Sequence, residues 1–233
     1  MPHVDVGGLS VYYEVHGQGD PLVLILGLAL DVSEVQGLVE GLAAHFKVIV
    51  LDNRGAGRTD QPPGPYSIPM MADDALGLLD ALAIRNARIV GISMGARIAL
   101  DISIRHPERV RELIIVGAQY KQRGKWHKSL PMKLMWALRW LPIGKSGHPQ
   151  SREAFEAQKI ASMSYNCEEG LSSIGARTLV LHGARDRTAP LQQAEEISKR
   201  IPNATLRTFR GGHLFFMMGE RREFIDAVCR FRT

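Results

Sequence analysis

The strongest constraint on the fold is the pentapeptide Gly91-Ile92-Ser93-Met94-Gly95. It ends an apolar run at 87–92 that predicts a buried strand, and it precedes a pattern at 96–105 that is typical of a helix. A Gly-x-Ser-x-Gly sequence between strand and helix predicts a sharp turn that exposes the serine at the edge of a sheet. The five letters alone could be a chance turn, so it is the flanking strand and helix that favour a functional serine.

Strand and helix patterns alternate along most of the chain. The predicted strands are 4–6, 9–15, 21–26, 47–51, 87–92, 110–116, 178–182 and 204–209, and the predicted helices are 33–46, 69–83, 96–105, 191–201 and 214–231. This order predicts an α/β fold with an eight-stranded, mostly parallel sheet flanked by helices. Residues 121–171 give no strand pattern, and their helical segments are broken by Pro131 and Pro142. We therefore expect a core of 1–120 and 172–233, with a helical lid at 121–171 after strand six.

Composition and cysteine content indicate where the protein is located and whether it binds a metal or cofactor. The 45% hydrophobic and 23% charged content is ordinary for a globular protein, and no apolar stretch approaches the roughly 20 residues of a membrane helix. The N-terminus lacks the basic start and apolar block of a signal peptide. Cys167 and Cys229 give neither a disulfide framework nor a metal-ligand spacing. The sequence predicts a cytoplasmic protein with no cofactor, no metal and no membrane span.

Positive charge is concentrated in one segment. Residues 121–150 contain seven lysines and arginines and no acidic residue, whereas the whole chain has a net charge of +5. Such a segment could contact nucleic acid or a membrane surface, but a solvated face of a helical insertion is the interpretation we favour. A third hypothesis is that the positive charge of this segment steers anionic substrates towards a nearby cleft. We expect a small-molecule substrate and no nucleic-acid partner, and the sequence leaves the oligomeric state open.

Three polar residues follow three predicted strands, where ligands bind in open parallel sheets. Ser93 follows the strand at 87–92, Asp186 the strand at 178–182, and His213 the strand at 204–209. The chain order Ser, Asp, His is that of a catalytic triad on this scaffold. Serine needs an imidazole to take its proton, and the imidazole needs a carboxylate to fix its tautomer. The sequence predicts Ser93, Asp186 and His213 as catalytic residues.

Other histidines and aspartates compete for these roles. His182 stands at the end of its strand, where a local hydrogen bond is the better interpretation, and Asp186 could instead cap the helix after Pro190. Asp52 also follows a strand, and we expect it to pair with loop groups such as Arg54. Two further carboxylates on predicted helices are interpreted as surface charges: Asp80 and Asp101.

Acyl transfer also requires donors for an oxyanion. One donor is the backbone N–H of the residue after the nucleophile, here Met94. The second comes from the loop after the third strand, and we expect Leu28 to supply it because Gly27 permits a sharp bend just before it. The sequence therefore predicts an oxyanion hole formed by the Leu28 and Met94 amides.

These motifs together resemble the α/β-hydrolase fold family, especially small esterases and 3-oxoadipate enol-lactonase-like serine hydrolases. The resemblance covers nearly the whole chain: the loop from Asp52 to Arg58, the elbow around Ser93, the link at 105–110, the acid loop with Asp186, and the base loop with Gly212 and His213. Many members carry His-Gly in the oxyanion loop, where this chain has Leu26-Gly27. The support of that loop is not evident from the sequence.

The resemblance and the triad predict a serine hydrolase that cleaves a carboxylic ester or lactone through an acyl-enzyme. Hydrolysis of a carbon–carbon bond in a dienoate, or perhydrolysis, could use the same residues. A non-catalytic binding protein on a hydrolase scaffold is the other alternative. Four apolar residues are candidates for binding substrate: Met132, Trp136, Trp140 and Leu214. The physiological substrate and its preferred acyl length remain open at this point.

Overall fold

A computed structural model of the chain describes residues 2–122 and 147–231. The strands are β1 His3–Val6, β2 Leu9–His16, β3 Pro21–Ile25, β4 Lys47–Leu51, β5 Ala87–Ile92, β6 Val110–Val116, β7 Arg177–Gly183 and β8 Ala204–Phe209. The described α-helices are α1 Gln36–Ala43, α2 Ile68–Ala81, α3 Met94–Arg105, α4 Arg152–Ser164, α5 Leu191–Arg200 and α6 Arg221–Arg230. Short 3₁₀ turns stand at Val32–Val35, Pro107–Arg109 and Leu171–Ser173.

The eight strands form one sheet in the order β1-β2-β4-β3-β5-β6-β7-β8. The pairs β1–β2 and β2–β4 are antiparallel, and every pair from β4 through β3 to β8 is parallel. The chain therefore reverses its winding direction around β3, and β5 lies beside β3 rather than beside β4. The predicted eight-stranded, mostly parallel α/β fold is confirmed.

Helices cover both faces of the sheet. All six residues of β5 are buried, with Ala87 and Ile89 in one apolar cluster and Val90 and Ile92 in the other. The first cluster includes residues of α2, α3 and α5, and the second includes residues of α1 and α6. Burial on both sides explains why the central strands are continuous apolar runs in the sequence.

The helix predicted over 214–231 is shorter in the structure. Residues 214–219 form turns, and α6 begins only at Arg221. The adjacent Phe215 and Phe216 are both buried, whereas Leu214 is 40% exposed. The Glu220 carboxylate accepts hydrogen bonds from the N–H groups of Arg210 and Gly211, at 2.9 and 2.6 Å. These contacts hold residues 210–220 as a folded loop that carries His213.

The helix predicted over 33–46 is also divided. Its first turn is the 3₁₀ segment Val32–Val35, which Asp31 and Glu34 cap reciprocally. The α-helix then begins at Gln36 and ends at Ala43. The other predicted helices within the described residues agree with the structure to within about two residues at each end. The Ser67 hydroxyl oxygen caps α2 by accepting a hydrogen bond from the Met70 N–H, which explains why the helix starts just before Pro69.

Candidate active site

Ser93 occupies the turn between β5 and α3. Its φ of 55° and ψ of −109° place a non-glycine residue in a sparsely populated region. The Ser93 N–H donates to the Val116 carbonyl at 2.8 Å, which ties the turn to the end of β6. A Cβ atom on Gly91 would collide with the backbone of Gly95, and a Cβ atom on Gly95 would collide with the backbone of Ile25. The two glycines of the motif are thus required by close chain packing around a strained serine.

His213 lies between Ser93 and Asp186. Its Nε2 is 3.0 Å from the Ser93 hydroxyl oxygen, and its Nδ1 is 2.6 Å from Asp186 Oδ2. Residues separated by 120 and 27 positions in the chain are thereby joined in one hydrogen-bonded row. Because the carboxylate can only accept, the Nδ1 atom carries the proton and Nε2 is left to accept the serine proton. The structure brings together the three residues predicted from the sequence.

The Asp186 carboxylate is buried and has several donors. Its Oδ1 accepts hydrogen bonds from the N–H groups of Thr188 and Ala189, at 2.7 and 2.8 Å. Burial by itself would raise the pKa of Asp186, but the hydrogen bonds from His213 and these two amides lower the pKa below its ordinary value. The carboxyl group is therefore ionised at neutral pH, and it can stabilise a positive charge on His213.

His182 supports the acid loop through a backbone carbonyl. Its ring is completely buried, and its Nε2 lies 2.9 Å from the Ala189 carbonyl oxygen. Burial lowers the pKa of His182, so the ring is neutral at pH 7 and its Nε2–H is the donor to that carbonyl. The local hydrogen bond expected for His182 from the sequence is present.

The loop after β3 passes directly beside the serine. A Cβ atom built on Gly27 would lie 3.3 Å from Ser93 Cβ. The Leu30 N–H donates to the Gly27 carbonyl at 3.3 Å, and Ala29 has a φ of 60°. Residues 26–31, which we call the oxyanion loop, therefore form a tight turn beside Ser93.

Two buried amide side chains hold the oxyanion loop. Asn53 Nδ2 donates to the Leu26 carbonyl at 2.9 Å, and Gln158 Oε1 accepts from the Ala29 N–H at 3.1 Å. Within residues 2–122 and 147–231, no acceptor is found for the Leu28 N–H. Met94 is the first residue of α3, where backbone N–H groups have no acceptor inside the helix. Sequence reasoning missed both Asn53 and Gln158, which lie 27 and 129 positions from their loop partners.

Asp52 pairs with loop groups, as expected, but Arg54 is not one of them. Arg54 pairs with Asp74, at 2.6 and 2.8 Å, and not with Asp52. Asp52 instead accepts from the backbone N–H groups of Val32 and Arg58, at 2.7 and 2.8 Å. Chain proximity was misleading here because the strand end turns Asp52 inward and Arg54 toward α2.

Asp101 is not a surface charge. It is 5% exposed, and it bonds to Arg105 at 2.6 Å and to the Tyr165 hydroxyl at 3.1 Å. These two partners come from α3 and from the residue that follows α4, so Asp101 connects both elements. Asp80 is exposed as expected, with an ion pair to Arg109.

Three of the predicted substrate-binding residues lie outside the described part of the chain: Met132, Trp136 and Trp140. Most of the basic segment lies there as well. Leu214 follows His213 directly and is 40% exposed, so it is available at the rim of the site. Among the described residues, no cluster of three or more His, Cys, Asp or Glu could hold a metal ion. None of the helices in those residues is long and apolar enough to cross a bilayer.

Comparisons with known proteins place this geometry in context. A family model described as alpha/beta hydrolase fold matches residues 20–146. A protein of Azorhizobium caulinodans named "Putative carbamate hydrolase RutD" is 36% identical over 124 residues, which are 53% of this chain and 47% of that protein. A 2-hydroxymuconate semialdehyde hydrolase of Pseudomonas putida is 32% identical over 193 residues, covering 70% of this chain and 68% of that enzyme.

A solved structure extends the similarity to the whole fold. The enol-lactonase from Burkholderia xenovorans LB400 superposes with a TM-score of 0.86 at 23% identity, over 97% of this chain and 98% of that chain. The family match includes the strand, the elbow and the helix around Ser93. The chain belongs to the alpha/beta hydrolase fold family.

Proposed function

We propose that the protein is a serine hydrolase that cleaves a carboxylic ester or lactone through an acyl-enzyme intermediate. The observation that carries the proposal is the row Ser93–His213–Asp186, with distances of 3.0 and 2.6 Å. In this proposal Ser93 is the nucleophile, His213 the general base and acid, and Asp186 the group that fixes the tautomer of His213.

The reaction follows from the positions of the protons. Ser93 Oγ attacks the substrate carbonyl as His213 Nε2 takes its proton, and Asp186 stabilises the resulting imidazolium. The carbonyl oxygen becomes negative, and the N–H groups of Leu28 and Met94 donate to it. His213 then protonates the leaving alcohol, which departs from an ester or stays tethered to the acyl group of a lactone. Water, activated by His213, releases the acid and restores Ser93.

The surroundings of the site complete the proposal. We propose that residues 121–171 form a lid over this edge of the sheet, with α4 as its described helix. Met132, Trp136, Trp140 and Leu214 would supply an apolar substrate pocket, and the basic segment could steer acidic substrates. A cytoplasmic location, as predicted from the sequence, is part of the same proposal. No cofactor is needed for any step.

Hydrolysis of a carbon–carbon bond is the second candidate. It is favoured by the 32% identity to the 2-hydroxymuconate semialdehyde hydrolase. In that reaction the same serine and histidine would act on a ketone carbonyl. The broken carbon–carbon bond would release an enolate-stabilised carbanion in place of an alkoxide, and this carbanion would take its proton from His213. Carbamates share the acyl carbonyl of esters and belong in the same set of test substrates.

Two measurements test the proposal. A fluorophosphonate probe should label the wild-type protein, and the Ser93→Ala variant should not be labelled. A substrate panel of p-nitrophenyl esters, lactones, carbamates and dienoate ring-cleavage products then distinguishes the reactions. Ester or lactone turnover that exceeds the others supports the main proposal, whereas dienoate turnover supports the second. Failure of the folded wild type to label would favour a binding protein.

A further inference from the structure

The side chain of Gln158 connects α4 with two loops at the candidate site. It is completely buried. Its Oε1 accepts from the Ala29 N–H at 3.1 Å, and its Nε2 donates to the Arg54 carbonyl at 2.7 Å. Gln150 Nε2 also donates to Gln158 Oε1, at 2.9 Å. The donor and acceptor ends of one amide therefore link the oxyanion loop to the loop after β4.

The hydrogen bonds of the oxyanion loop determine where the Leu28 N–H points. The Gly27 carbonyl and the Leu28 N–H belong to one planar trans peptide unit, so they point in opposite directions. That carbonyl accepts from the Leu30 N–H inside the turn, which directs the Leu28 N–H out of the turn. The next peptide N–H, that of Ala29, is held by Gln158. Without the bond from Gln158 to Ala29, the peptide unit between Gly27 and Leu28 would be free to change its orientation. That unit carries the Leu28 N–H.

The backbone at Ala29 makes this support necessary. A φ of 60° is unfavourable for alanine, so the turn depends on surrounding contacts to persist. Asn53 fixes the start of the loop through Leu26, and Gln158 fixes the strained residue itself.

We propose that Gln158 is a positioning residue for the oxyanion hole. Because Gln158 belongs to α4, the ability of the hole to stabilise an oxyanion then depends on the position of α4. The inference rests on the proposed function, since it gives the Leu28 N–H a role in transition-state stabilisation. Gln158 contacts no reacting atom. It acts through Ala29, by holding the turn in which Leu28 can donate to the developing oxyanion.

The test compares Gln158→Leu with Gln193→Leu. Gln193 is a matched control because it is also helical and 1% exposed, and its Oε1 accepts from the Tyr120 N–H at 3.2 Å. Both variants are assayed by thermal melting, by kcat and KM on one ester or lactone from the panel, and by the rate of fluorophosphonate labelling. We expect Gln158→Leu to lose about ten- to a hundredfold in kcat, less than removal of a direct donor, with KM within about twofold. Labelling should slow in parallel.

A third variant separates positioning from folding. Gln158→Glu keeps an acceptor for the Ala29 N–H but loses the donor to the Arg54 carbonyl, so we expect it to retain more kcat than Gln158→Leu. If Gln158→Leu does not fold, Gln158→Glu decides: a kcat within about tenfold of wild type supports the inference, and a larger loss overturns it.

Three results overturn the inference. They are a Gln158→Leu variant with wild-type kcat, a variant in which only KM changes, and an equal loss of kcat in Gln193→Leu. A wild-type protein that the probe does not label would instead contradict the proposed function. The two failures are therefore distinguishable.

Discussion

The triad and the oxyanion loop adjoin the same serine, but they are held by different means. Ser93, Asp186 and His213 follow strand ends, where backbone hydrogen bonds such as Ser93 N–H to Val116 and Ala184 N–H to Phe209 extend the sheet. The oxyanion loop is held by the buried side chains of Asn53 and Gln158, from distant parts of the chain. Backbone hydrogen bonds at the strand ends, with side-chain contacts of short sequence separation from His182 and Glu220, therefore place the proposed proton-transfer groups. Side chains from distant parts of the chain place the proposed oxyanion donor.

The two regions also differ in their buried carboxylates. Asp186, in the triad, has its pKa lowered by partners that compensate burial. Asp52, which accepts from Val32 just after the oxyanion loop, is buried against backbone donors, and burial raises its pKa to about 6. The triad carboxylate is thus stable as an anion at neutral pH, whereas ionisation of Asp52 opposes folding.

The largest expected effect comes from a substitution that disrupts only the triad. Asp186→Asn should lower kcat/KM by about 10⁴-fold, since an amide can hold His213 in the wrong tautomer. Turnover of the preferred substrate from the panel is the measurement. Asp80→Asn serves as the control because that carboxylate is 66% exposed on α2, and it should stay within about twofold of wild type. Comparable activity of both variants would remove Asp186 from the mechanism.

The next prediction concerns pH and the support of the oxyanion loop. The pKa of Asp52 is about 6 in the folded chain against an ordinary 3.8, so the folded state binds more protons between these values. Its contribution to the unfolding free energy must then fall as pH rises from about 4 to about 6, by about 3 kcal/mol at most. Urea denaturation at pH 4 and at pH 7 gives the difference in unfolding free energy between the wild type and Asp52→Asn at each pH. The change in that difference between the two pH values measures the contribution of Asp52. A pH-independent difference would show that Asp52 does not titrate in this range.

Gly95→Ala should disturb both regions at once. A Cβ there would collide with the carbonyl groups of Ile25 and Leu26, which end β3 and begin the oxyanion loop. We expect a loss of about 1–3 kcal/mol in unfolding free energy, with a fall in kcat. Gly175→Ala is the control, because nothing lies within 4 Å of a Cβ built at that position. Equal stability of the two variants would indicate that α3 and β3 can separate without cost.

The smallest expected effect concerns the backbone strain at Ser93. Ser93→Gly and Ser93→Ala both remove the hydroxyl, but only glycine tolerates a φ of 55° easily. We expect Ser93→Gly to be more stable than Ser93→Ala by about 1 kcal/mol. Thermal melting of the two inactive variants provides the comparison. A less stable glycine variant would mean that the turn is relaxed.

Much of the fold and the meeting of the triad could be predicted because their signals are local. A buried parallel strand is a continuous apolar run, and Gly91 and Gly95 identify the turn around Ser93. The same reasoning failed at 214–219, where Phe215 and Phe216 fit a helical pattern but are buried on a folded loop. The tie from Glu220 to Arg210 and Gly211 has no periodic signature.

The support of the oxyanion loop could not be predicted for a related reason. Asn53 belongs to the loop from Asp52 to Arg58, where nothing in the sequence marks it, and Gln158 lies in a segment without strand or motif signals. Their roles depend on which backbone groups the tertiary fold brings near them. Arg54 likewise has Asp74 as its partner, 20 positions away, and not the nearby Asp52. Short sequence separation was a poor guide wherever a buried polar side chain satisfies a distant loop.

The most direct test of the account is a crystal structure of the protein after phosphonylation by the fluorophosphonate probe. We predict phosphorus on Ser93 Oγ, with one phosphonyl oxygen about 2.7–3.1 Å from the backbone nitrogens of both Leu28 and Met94. An adduct on another residue, or a phosphonyl oxygen directed away from the Leu28 amide, would contradict it.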